Sequence, residues 1–160
     1  MEHNKTYVQL LINSLEKKSV LLSEIIKITY SQERILLTDS MDMDAFQRTI
    51  EEKEVLIQQI QEIDDGFEAV YARVQEEFQV NKKLYVQEIS QLQVLIKKIT
   101  DESVILQALE ARNKNRFDIQ SQNNRKEIKQ FKVSNETARS YYKNMSNQHQ
   151  GQSYFLDKKK

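Results

Sequence analysis

The stretch "TDSMDMDAFQ", Thr38–Gln47, is the clearest break in a sequence that otherwise favours helix. Thr, Asp and Ser compete for backbone hydrogen bonds and so favour helix ends over helix interiors. Asp44 with Gln47 three residues later reads as a capping box, and Asp42 serves equally well as the N-cap. One helix therefore stops before this stretch and another starts within it. A short link between two long helices makes an antiparallel hairpin.

Working outward, Val8, Leu11, Ile12, Leu15, Leu22, Ile25 and Ile26 recur at spacings of three and four. They define a first helix from about Asn4 to about Leu37, with Lys17, Lys18, Glu24 and Lys27 assigned to its other faces. The second helix carries Phe46, Ile50, Ile57, Ile60, Ile63, Phe67, Val70, Tyr71, Val74 and Phe78. Its stripe passes through "IDDGFE" in phase, so Gly66 is expected to kink the helix without ending it. The phase lapses at "QVNKK", Gln79–Lys83, which is the expected second turn. A third helix then shows Leu84, Ile89, Leu92, Leu95, Ile96, Ile99, Leu106 and Leu109.

After Leu109 large apolar residues become sparse. Asn113, Ser121 and Asn124 stand where the seam would ask for Leu or Ile, and a second weak stripe follows through Ile128, Phe131, Ala138, Tyr142 and Met145. A helix with little to pack on is marginal in water. The expected fold is therefore all-α: an elongated antiparallel bundle of three long helices with a frayed C-terminal helical arm. Residues 1–112 form the helical body, 113–145 a basic helical extension of the third helix, and 146–160 a flexible tail.

Composition supports the helical class. The 160 residues include no Pro and two Gly, so few positions suit a sharp reversal. The absence of Cys excludes disulfides and thiolate metal sites. No apolar run approaches the roughly 20 residues of a membrane span, and "MEHNKTYVQLLIN" lacks the pattern of a signal peptide. A soluble cytoplasmic protein is expected. Net charge is zero but unevenly spread: residues 1–110 hold 20 acidic and 12 basic residues, giving −8, and 111–160 hold 4 and 12, giving +8. A basic arm on an acidic body suits an acidic partner, or the body itself.

Little in the sequence carries reaction chemistry. His3 and His149 lie near opposite ends and form no ligand pair, so neither a metal nor another cofactor is expected. Two isolated glycines make no phosphate loop. Asp64–Asp65 and Glu51–Glu52 are adjacent, and adjacent helical residues do not face each other. An enzyme is not expected. The arm's "RNKNRF" and "NRKEIKQFK" interleave basic residues with Phe117 and Phe131, a pattern able to grip phosphates and stack bases. Asp118, Glu127 and Glu136 interrupt it, and a solvated charged helix accounts for most of it, so nucleic acid is not the expected partner. Protein recognition remains, because an amphipathic arm with exposed aromatics suits docking into an apolar groove.

The arrangement over about residues 5–156 resembles the FlgN-like flagellar export chaperones. The resemblance is carried by "DAFQRTIEEKEVLIQQIQEIDDGFE", by "LQALEARNKNRF", and by the tyrosine-bearing ending "YYKNMSNQHQGQSYFLDKKK". It implies an antiparallel helical chaperone that binds the C-terminal regions of the hook–filament junction proteins FlgK and FlgL. Such a chaperone delivers them to the export gate, where the cytoplasmic domain of FlhA receives the complex. Phe117, Ile128, Phe131 and Ala138 are the candidate client-binding residues. Tyr141, Tyr142, Tyr154 and Phe155 are the candidates for the export gate. Known members place Gly soon after the tyrosine; here Lys143 follows and Gly151 comes later, so more than one tyrosine fits the role. The free protein is expected to be a monomer, and the competing expectation is a coiled-coil or scaffold protein that acts by self-association.

Overall fold

The computed structural model describes the backbone of residues 2–123. Three long helices account for nearly all of it: α1 (Glu2–Leu36), α2 (Met43–Val80) and α3 (Val86–Asn123), with a 3-10 turn at Lys82–Tyr85 before α3. No strand occurs among the described residues. The all-helical expectation holds there. At 1.5 Å per residue, helices of this length run for about 50–57 Å.

The first turn forms where the sequence stops favouring helix. Thr38 Oγ1 donates to Ile35 O at 2.7 Å and closes the end of α1. Asp42 is the N-cap of α2: its backbone is extended, and its carboxylate accepts from Ala45 N–H at 3.1 Å. Asp44 sits in the first turn, where its charge complements the helix dipole. At the other end, Asn81 N–H donates to Glu77 O at 2.9 Å, and Leu84 N–H donates to Asn81 O at 3.0 Å, which starts the 3-10 turn. Neither reversal uses a positive φ, so the scarcity of glycine costs the fold nothing. Gly66 lies exposed within an uninterrupted α2.

Cross-helix bonds fix the directions. Lys18 meets Asp64 at 2.5 Å, and Lys53 donates to Gln32 Oε1 at 2.8 Å, so α1 and α2 are antiparallel. Ser19 donates to Glu102 at 2.6 Å, and Gln120 Nε2 donates to Leu36 O at 3.1 Å, so α1 and α3 run parallel. The backbone of α1 approaches both other helices closely, whereas long side chains bridge α2 and α3.

The core largely follows the apolar stripes. Leu84, expected in the third stripe, is 56% exposed, and Tyr85 is buried in its place at 2%. The 3-10 turn has three residues per turn, and this shifts the helical phase by about one position. Tyr85 then packs edge-on against Phe78, with centroids 5.4 Å apart. Lys18, assigned to a solvent face, is buried, and its ammonium reaches across to Asp64 on α2.

The greatest difference concerns the junction between body and arm. Residues 113–120 pack on α1 and α2, although a loosely held extension was expected from Asn113 onward. Asn113 is fully buried and donates from Nδ2 to Thr29 O at 3.0 Å. Gln120 donates to both Leu36 O and Thr38 O. Asn113 and Gln120 thus bind backbone carbonyls of α1 and of the turn after it, and hold α3 in place. Residues 124–160, with the rest of the arm and the tail, lie outside the described residues.

Candidate functional site

Where α3 passes the start of α2, each helix interrupts its apolar stripe with polar residues. On α1 these are Thr29 and Gln32, on α2 Lys53, and on α3 Glu110 and Asn113; all five are buried. The Lys53 ammonium is an ion-pair partner of Glu110 and also donates to Gln32 Oε1 at 2.8 Å. Thr29 Oγ1 donates to Ile25 O at 2.7 Å and lies 3.4 Å from Glu110 Oε1. Gln32 Nε2 and Asn113 Oδ1 are buried and have no hydrogen-bond partner among the described residues.

Burial governs the charges here. It pulls the Lys53 ammonium down to about 8, against the attraction of Glu110. It pushes the Glu110 carboxyl above the usual carboxylate range, against Lys53 and the Thr29 hydroxyl. Both shifts favour the neutral forms, so desolvation outweighs attraction, as is common for buried pairs. Lys18 is also lowered, chiefly by burial.

This polar layer separates two hydrophobic clusters. The main core extends from Val8 to Ile25 on α1, Ile57 to Phe78 on α2, and Tyr85 to Leu106 on the turn and α3. The distal cluster comprises Leu36, Met41, Met43, Phe46, Ile50 and Phe117. The rings of Phe46 and Phe117 stack with centroids 5.1 Å apart and planes inclined by 17°.

Among the sequence-based candidates, Phe117 lies in this cluster and is only 2% exposed. It is a packing residue here, and a client could reach it only if the distal end opened. Its helical neighbour Ile119 faces solvent at 49% exposure. Ile128, Phe131, Ala138, Tyr141, Tyr142, Tyr154 and Phe155 lie outside the described residues. Two basic residues near the arm, Arg112 and Arg116, reach Glu33 at 3.4 and 3.0 Å, so part of the positive charge meets the body itself.

Lys53, Glu110 and Gln32 were missed as a group, although a signal existed. Lys53 keeps the spacing of Phe46, Ile50, Ile57 and Ile60, and Glu110 keeps that of Leu106 and Phe117. A charged residue in phase with a core stripe marks a buried pair.

Among the described residues no group of three or more His, Cys, Asp or Glu is placed to hold a metal. Nor is any of these helices long and apolar enough to cross a membrane. A shallow groove of about 360 Å³ between α1 and α3 mixes Glu16 and Glu24 with Lys27 and Lys98 around Val20 and Leu95. Comparison with protein-family models, with characterised proteins and with solved structures finds no match to this chain.

Proposed function

We propose that this chain is a cytoplasmic, non-enzymatic flagellar secretion chaperone of the FlgN type. It binds the C-terminal regions of FlgK and FlgL and hands them to the cytoplasmic domain of FlhA. The observation that supports this reading best is where α3 leads. The described part of α3 runs to Asn123 beside the distal cluster, and the residues that follow in sequence, 124–160, hold nine basic and three acidic residues together with Phe131, Tyr141, Tyr142, Tyr154 and Phe155. A packed body followed by an aromatic, basic segment suits a partner that must be held and later released. Aromatic anchors supply affinity at low side-chain entropy cost.

A specific observation favours a second reading, self-association as a scaffold. Val94, Ile105 and Ile119 are exposed on α3 at 66%, 48% and 49%. They are spaced by eleven and fourteen residues, about three and four helical turns, so they fall on one line. Sedimentation velocity of the purified protein separates the two readings. The chaperone reading expects a monomer alone and a 1:1 complex with a FlgK C-terminal fragment. A dimer that grows with concentration and ignores the fragment would favour the scaffold.

A further inference from the structure

Each helix crosses from the main core to the distal cluster through a polar residue. Along α1, Thr29 and Gln32 lie between Ile25 and Leu36. Along α2, Lys53 lies between Ile57 and Ile50, and along α3, Glu110 and Asn113 lie between Leu106 and Phe117. Apart from the buried Leu109 on α3, the apolar packing of the bundle is therefore cut in one plane, and a buried ion pair with its hydrogen bonds joins the clusters there. Such a pair stabilises little in net terms, because desolvation offsets attraction, and its best attested uses are as a register or switch device.

We propose that the polar layer is a hinge at which the distal end opens as one cooperative unit while the main core stays folded. The opening unit contains the start of α2 and the end of α3, joined by the Phe46–Phe117 stack, and the bonds of Gln120 to Leu36 O and Thr38 O tie it to the end of α1 and the turn that follows. Six buried apolar side chains hold this unit, against seventeen in the main core. Local opening free energies follow the number of buried apolar contacts, and contiguous segments open together. Opening would uncover Phe46 and Phe117 on facing helices. The proposal concerns the free chain and stands independently of the chaperone reading.

Native-state hydrogen exchange of the full chain, followed by mass spectrometry without any partner, tests it. Helical amides of residues 46–50 and 113–120 are expected to share one opening and to exchange about 100-fold faster than those of 57–74 and 92–106. In the variant Lys53→Met with Glu110→Leu the two clusters join, and that gap should fall below about 10-fold. A third variant guards against misfolding of the second. Phe117→Leu on α3 should speed exchange at 46–50 across the interface and leave 92–106 unchanged. Equal protection at both ends would overturn the proposal. So would independent rates for 46–50 and 113–120, which would mean that the end of α3 merely frays. A gap that persists in the apolar variant, or a Phe117→Leu effect confined to α3, would also overturn it.

Discussion

Simultaneous replacement of Leu92, Ile96 and Ile99 by alanine is expected to unfold the bundle. The three side chains are 0%, 6% and 5% exposed and belong to the main core. Truncating a buried Leu or Ile to Ala costs about 2–5 kcal/mol, part in lost transfer free energy and part in the cavity left behind. Even at the lower bound the sum reaches about 6 kcal/mol, against a typical total stability of about 5–15 kcal/mol. Long helices packed along seams have few other contacts to compensate. Far-ultraviolet circular dichroism through a thermal melt reads the outcome directly. A variant that keeps its helicity and its Tm would show that this face of α3 is not the core.

The second large effect belongs to the polar layer. Lys53→Met alone leaves Glu110 buried without its cation, and removing one partner of a buried pair costs about 3–5 kcal/mol. Adding Glu110→Leu should recover that loss and could exceed wild type by about 1–4 kcal/mol, since an apolar layer needs no desolvation. Urea unfolding of the three proteins measures both steps. A harmless single variant would mean that the pair carries no charge in the folded state.

The same variants predict a pH dependence. Folded Lys53 is lowered to about 8, whereas an unfolded lysine titrates near about 10.4. Between these values the unfolded chain binds more protons than the folded one, so stability rises with pH, by at most about 1.4 kcal/mol per unit for one proton. Burial raises Glu110, so its contribution has the opposite sign and falls as pH rises. Lys18 is lowered too and acts in the same direction as Lys53. From about pH 8 to 9.5, below the tyrosine range, Lys53→Met should therefore flatten the rise without abolishing it.

Periodicity made the helices legible. The break before α2 and the lapse at Gln79–Lys83 needed only local signals, namely cap residues and a loss of phase. Asp42 emerged as the cap over Asp44 because the choice depends on the backbone angle at one residue. The Lys18–Asp64 and Lys53–Glu110 pairs could not be read as pairs because their partners lie 46 and 57 residues apart. Which residues meet at that separation depends on the register between helices, and a stripe does not report register. The same reason hid the attachment of the end of α3. Asn113 read as a weak seam residue, yet it finds a backbone carbonyl on α1, and Gln120, which no stripe singled out, finds another. Tyr85 displaced Leu84 because a 3-10 turn changes the period for a single turn of chain.

That packing also decides where the chain must be cut to test the function. Ending it after Leu109 would remove Glu110, Asn113 and Phe117 and leave Lys53 without its partner, so lost binding and lost folding could not be separated. Ending it after Asn123 keeps the polar layer and the distal cluster and removes only residues 124–160. Calorimetric titration of a FlgK or FlgL C-terminal fragment into the full chain and into this shortened chain is the most direct test of the claim that the extension recognises the client. The account predicts 1:1 binding by the full chain, affinity at least about tenfold weaker in the shortened chain, equivalent to about 1.4 kcal/mol, and unchanged melting. Equal affinity in the two chains, or no binding by either, would contradict it.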